Sequence, residues 1–167
     1  MANVKSIFLG SLFVLLGACG FHLRGTMVLP PSFQHVYISA PAHGKNLQMA
    51  LDEQLQAYVV SRSESQQDCS FQIIIDNIQF DRQISNISSS TTPRQFQLSY
   101  KVKYHFIDEK GAMLIPNGII QLQRLVSMNS ERLLGSNYEQ DFFLHEMEND
   151  AARQMMMTIS NYFNFER

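Results

Sequence analysis

The chain has 167 residues, 45% hydrophobic and 17% charged, with 13 Lys and Arg against 15 Asp and Glu, two cysteines and no tryptophan. That length suits one domain with a sizeable core and is short for two. A formal charge of −2 gives no overall basic field for nucleic acid, two cysteines cannot build a disulfide framework, and no C-x-x-C or H-x-x-x-H spacing offers a structural zinc site.

The first eighteen residues carry a single charge. Lys5 supplies a positive start and Ile7 to Leu16 an apolar run, which is far below the ~20 residues that span a bilayer, so an export signal is the better reading than a transmembrane helix. The tetrapeptide Leu16-Gly17-Ala18-Cys19 resembles a bacterial lipobox, in which the signal is cut before the cysteine, the thiol takes a diacylglycerol and the new amino group is acylated. The expected organisation is a lipoprotein signal peptide over 1–18 and one anchored domain over 19–167. Two acyl chains already suffice for stable anchoring at ~0.8 kcal/mol per buried methylene, so Cys19 would hold a soluble domain on a leaflet. Removing residues 1–18 from the 167 leaves 149, and the loss of Lys5 moves the formal charge from −2 to −3. Gly20 follows the cysteine where an aspartate would resemble an inner-membrane retention signal, which favours the outer membrane. With Cys19 consumed by lipid, Cys69 lacks an intramolecular partner, and its neighbours Phe71 and Ile73 to Ile75 predict a buried structural thiol.

The later elements follow in chain order. After the Pro30-Pro31 break, Val36-Tyr37-Ile38 reads as a short strand bounded by Pro41 and Gly44. Leu47, Leu51, Leu55 and Tyr58 recur at helical spacing, with Asp52, Glu53 and Gln56 on the other side. Phe71 to Phe80 reads as a strand buried on both faces at its start and alternating later through Ile78 and Phe80. Gln83 to Gln95 is polar and rich in Ser and Thr, which suits a long hairpin tip or an ordered loop. From Phe96 to Phe106 the apolar residues alternate strictly with Gln97, Ser99, Lys101, Lys103 and His105. Asp108 to Gly111 makes a turn, and Ile119 to Met128 returns as a strand containing Arg124. Ser136-Asn137-Tyr138-Glu139 matches a capping box opening a helix to about Phe163, whose stripe runs through Leu144, Met147, Ala151, Met155, Ile159 and Tyr162. The run Met155-Met156-Met157 is expected to place core methionines beside one exposed one. The expected fold is α+β, a small mixed, largely antiparallel four-stranded sheet with two helices on one face, in the order β-α-β-β-β-α.

Cys19-Gly20-Phe21-His22-Leu23-Arg24-Gly25 resembles the C-G-F/W-H-L-R start of the LptE family of lipopolysaccharide-assembly lipoproteins, and Glu139-Gln140-Asp141 with Glu146-Met147 and Ala151-Ala152 resembles the start of that family's last helix. The resemblance covers essentially the whole chain after the signal. It implies a sheet with two helices that sits as a plug inside the large outer-membrane barrel LptD, with the pair delivering lipopolysaccharide to the outer leaflet. It further implies an outer-membrane lipoprotein on the periplasmic side and in the barrel lumen, with the barrel, lipopolysaccharide and the membrane as partners and no nucleic acid.

Lipid A and the inner core carry phosphates, so a strip of cations on a rigid strand suits them. Lys101 and Lys103 fall on one strand face with His105 beyond them, at roughly 6.6 Å per two residues. Arg124 on the following strand and Arg94 beside the hairpin tip would add planar donors. The plainer reading is that all of these solvate the open face of an antiparallel sheet, and the resemblance weighs towards lipopolysaccharide contact. Phe21, His22 and Arg24, beside the anchor, would dock to the barrel or to lipid headgroups, or else form a polar tether. No G-x-S-x-G elbow, H-E-x-x-H helix or Gly-rich phosphate loop arranges the Asp, His and Ser residues into a mechanism, so neither an enzyme nor a cofactor is expected. The alternative function is an envelope-assembly scaffold lipoprotein that binds no lipopolysaccharide.

Overall fold

A computed structural model describes residues 27, 29–86, 94–128 and 136–165. Its elements are β1 (His35–Ser39), α1 (Lys45–Ala57), β2 (Ser61–Ser63), β3 (Phe71–Asn86), β4 (Arg94–Asp108), β5 (Met113–Met128) and α2 (Ser136–Phe165), with short 3-10 turns at 42–44 and 66–68. The strands form one sheet in the order β2-β1-β3-β4-β5. β1 runs parallel to both neighbours, because α1 carries the chain back across the sheet between β1 and β2, whereas β3, β4 and β5 are joined as an antiparallel meander. The class is the α+β expected, with one correction: the described residues form five strands. β2 consists of three polar residues with no alternation to announce it, and only its parallel register with His35 to Tyr37 makes it a strand.

β4 organises the core. Phe96, Leu98, Tyr100, Val102, Tyr104 and Phe106 are all buried towards the helices, and the residues between them lie on the opposite face. Strand partners share a face, so the register assigns every other side chain. On β3, Phe71, Ile73 and Ile75 point inwards. A bulge at Asp76 then shifts the alternation by one, so Ile78, Phe80 and Arg82 point inwards while Asn77 and Gln79 do not. The start of β3 is therefore not buried on both faces, since Ile74 stands opposite His105 on the open face, half-buried. The hairpin of β3 and β4 runs farther up the polar segment than its composition suggests, through Asn86 and again from Arg94. Residues 87–93, including Ser88 to Ser90, lie outside the described residues.

The apolar faces of both helices close this side of the sheet. α1 contributes Leu47, Ala50, Leu51 and Leu55, and α2 contributes Met147, Ala151, Ala152, Met155, Met156 and Ile159. Met157 is the exposed member of the methionine run, as its helical spacing requires. At the end where the chain enters, Phe33, Phe71, Phe106 and Phe163 form a cluster with ring centroids 5.1–6.0 Å apart. Gly118 lets the Tyr104 ring lie flat on β5, since a Cβ there would sit 2.4 Å from Cε1 and Cζ of that ring. Gly111 supplies φ +81° in the turn between β4 and β5, where Asp108 accepts from the N–H groups of Lys110 and Ala112. Cys69 departs from expectation. It lies in the loop before β3, partly exposed, where its thiol donates to the Gln66 carbonyl and partial burial raises its pKa. The isoleucines that suggested a core thiol begin only after the chain has entered the sheet.

Candidate functional site

The sheet leaves one face uncovered among the described residues, and Lys101 and Lys103 stand on its central antiparallel strand. Lys101 lies in a cross-strand row between Gln79 and Gln121, and Lys103 in the next row between Asn77 and Ile119. At roughly 6.6 Å along the strand and ~4.8 Å between strands, these rows place two ammonium groups within a lattice of amides. Among the described residues no carboxylate lies within 4.0 Å of either lysine. Gln123 joins the lattice by accepting from Gln97 Nε2 at 3.2 Å.

The face is not uniformly basic. The bulge turns Asp76 onto it, where its carboxylate meets His105 Nδ1 at 2.9 Å. Asp81 stands opposite Ser99, accepting from its neighbour's backbone N–H and from Gln83 Nε2 at 2.8 Å. His105 is thus engaged with an acid, which leaves Lys101 and Lys103, among the described residues, as the cations on this face without a close counter-charge. The alternation of β4 made the lysines visible in the sequence. The bulge that brings Asp76 to His105 had no such signal, because one extra residue in a β-strand leaves composition unchanged.

Arg124 belongs elsewhere. It is paired in register with Leu98, so it points to the helix side, opposite to Lys101 and Lys103. There it donates to Asp150 at 2.5 Å and lies 3.6 Å from Glu146, both on α2. Partial burial works against the charge of Asp150, but the hydrogen bonds from Arg153 and Arg124 outweigh it and hold the carboxyl below its usual range. The expectation that Arg124 extends the lysine strip is therefore corrected: the strand reading did not fix which face each β5 residue takes. Arg62 and Arg82 serve the same end as Arg124. Arg62 pairs with Asp52 of α1 at 2.7 Å, and Arg82 lies 4.0 Å over the Phe96 ring while donating to Gln140 of α2 at 2.6 Å. The arginines of the helix side tie helices to the sheet. Arg94 begins β4 opposite Met128, and its side chain is not among those described. Cys19, Phe21, His22 and Arg24 also lie outside the described residues.

A second polar cluster escaped the sequence reading. Glu148 is 5% exposed, enclosed by α1 and the sheet, with His145 Nδ1 at 3.1 Å and a side-chain hydrogen bond to Asn46. Burial raises its pKa, against the opposing pull of His145 and the hydrogen bonds. The nearby Tyr100 hydroxyl is buried without a hydrogen-bond partner among the described residues, and burial together with the Glu148 charge pushes its pKa far up. Among the described residues no group of three or more His, Cys, Asp or Glu could hold a metal ion, and no helix is long and apolar enough to cross a membrane.

Comparison with known proteins agrees with this architecture. The chain is similar to an uncharacterized lipoprotein B from Nitrosomonas europaea, solved by NMR, at 26% identity over 87% of this chain and 93% of that one, with a TM-score of 0.69. It shares its fold with the rare lipoprotein B from Shewanella oneidensis (16% identity, 80% and 100% of the two chains, TM-score 0.67) and with a minor lipoprotein from Acinetobacter baumannii (18%, 79% and 94%, TM-score 0.66). No curated protein matches. The lipopolysaccharide-assembly family LptE matches residues 33–159, from the first buried phenylalanine through every strand, all of α1 and most of α2. The chain belongs to the LptE lipopolysaccharide-assembly family.

Proposed function

We propose that this protein is a non-catalytic, lipid-anchored outer-membrane subunit that docks into an LptD-like barrel and presents the open face of its sheet to lipopolysaccharide. Family membership over residues 33–159 is the observation that carries the reading. The signal over 1–18 is removed, Cys19 carries the acyl chains, and Phe21, His22 and Arg24 lie where the chain leaves the bilayer. Lys101 and Lys103 meet the phosphates of the lipid, and the flanking amides of Gln79 and Gln121 donate and accept towards its sugars. Arg124 takes no part in this contact, since its guanidinium is committed to α2.

The two lysines and Arg124 separate lipid binding from folding. Lys101→Gln with Lys103→Gln should weaken lipopolysaccharide binding severalfold, more at low than at high salt, with the melting temperature unchanged. Arg124→Gln should lower the melting temperature and leave binding by the folded fraction intact. Unchanged binding in the double lysine variant would remove the lipid from this face. Purification of the native membrane complex tests the partner: an outer-membrane barrel is expected in the eluate, and its absence would refute the docking. Mass spectrometry of the native protein should find Cys19 as the acylated first residue.

A further inference from the structure

The two edges of the sheet differ. β2 is three residues long and offers little to a passing strand, whereas β5 runs for 16 residues and nothing among the described residues pairs with its outer side. Edges of this length are ordinarily protected by proline, lysine or inward charge. β5 has Pro116 near its start, but from Asn117 to Met128 it contains neither proline nor lysine, and its one charge, Arg124, is held by α2. Ile119 and Leu125 stand on the open face, each more than half exposed.

The order of residues along this edge is self-complementary. Reversed about Leu122, Ile119 falls opposite Leu125, Gln121 opposite Gln123, and Arg124 opposite Ile120, so apolar meets apolar, amide meets amide and no like charges meet. Helix α2 shows the same property independently. Phe142, Glu146, Arg153 and Met157 form one outward stripe at helical spacing, with the half-buried Asp150 between them bonded to Arg124 of β5, and Phe142 and Met157 are more than half exposed. Reversed about the point between Asn149 and Asp150, Phe142 falls opposite Met157 and Glu146 opposite Arg153. These two centres are linked through one ion pair. Arg124, two residues from Leu122, is bonded to Asp150.

We infer that two copies of this chain associate through β5 and α2 about one two-fold axis, giving a continuous ten-stranded sheet with the α2 helices antiparallel across it. Isologous contacts require this self-complementarity. The spacing also fits: strands ~4.8 Å apart and helices 8–10 Å apart need each α2 to sit roughly 2–3 Å inward of its own β5, and α2 packs on β5 and β4. The inference concerns the free chain and is independent of the barrel and lipid assignments.

Register gives the test. In the full-length chain purified in detergent without a barrel and carrying Cys69→Ser, Leu122→Cys should form a reducible dimer on oxidation, because the two 122 positions face each other at ~4.5–5.5 Å between Cα atoms. Ile119→Cys alone should not crosslink, whereas Ile119→Cys combined with Leu125→Cys should. In detergent, sedimentation should show a dimer that Phe142→Glu weakens at least about tenfold and that adding Met157→Lys restores. Both side chains are exposed, so these variants fold. A wild-type chain monomeric at tens of micromolar would overturn the inference. So would a dimer that ignores the charge pair or crosslinks at 119 alone.

Discussion

Replacing Gly118 by alanine tests how closely β5 is fitted to the core. A Cβ at this position would lie 2.4 Å from Cε1 and Cζ and 2.7 Å from Cε2 of Tyr104, against an ordinary contact of 3.4–4 Å. The ring would have to retreat by about 1 Å. Its surroundings oppose that movement, because Tyr104 is 2% exposed on β4, between β3 and β5, and its hydroxyl is hydrogen-bonded to Thr158 of α2. Overpacking of this kind costs about 1–3 kcal/mol, and loss of the Thr158 bond about 1 more. The lower entropy of an alanine-containing unfolded chain returns roughly 0.5 kcal/mol. The expected loss is therefore about 1.5–3.5 kcal/mol, or roughly 3–14 °C in melting temperature for a domain of this size. Thermal and urea unfolding followed by circular dichroism measure it. Coupling identifies the cause: in a Tyr104→Leu background, which removes the clashing ring atoms, the same alanine should cost less than about 0.5 kcal/mol. A cost above 1.5 kcal/mol in that background, or below 0.5 kcal/mol in the native one, would refute the reasoning.

Three further changes have expected outcomes. Val59 closes α1 with φ +59° at 92% exposure, its N–H bonded to the Gln56 carbonyl and that of Val60 to Leu55; this is a left-handed helix end that suits glycine, so Val59→Gly should stabilise by about 1 kcal/mol in urea titrations. Glu148 has a raised folded pKa, so its contribution to stability improves as pH falls from above that value towards 4.5; Glu148→Gln should flatten this part of the unfolding midpoint's pH profile. Asp150 has a lowered folded pKa, so its stabilisation is present above about 3.8 and lost as pH falls through the folded value; Asp150→Asn should flatten the profile there and reduce stability at neutral pH.

Most of the fold and about half of the candidate site could be read from residue order. The alternation of Phe96 to Phe106 announced β4 and both of its faces, because side chains on a strand repeat every two residues whatever surrounds them. The stripes of α1 and α2 announced their buried sides for the corresponding reason at helical period, and the Met155 to Met157 run resolved into two core residues and one exposed. Lys101 and Lys103 followed from β4. β5 was harder to read. Ile119-Ile120-Gln121-Leu122 has no clean alternation, so its phase, and with it the side taken by Arg124, depended on pairing with β4.

Local periodicity and the two terminal motifs thus determined the α+β class, the core of β4 and the family. Tertiary structure alone decided the parallel fifth strand, the bulge that joins Asp76 to His105, the burial of Glu148 and the separation of Arg124 from the lysines. Each of these depends on contacts between residues distant in sequence. A single-residue shift in strand register exchanges the two faces of a sheet without changing its composition.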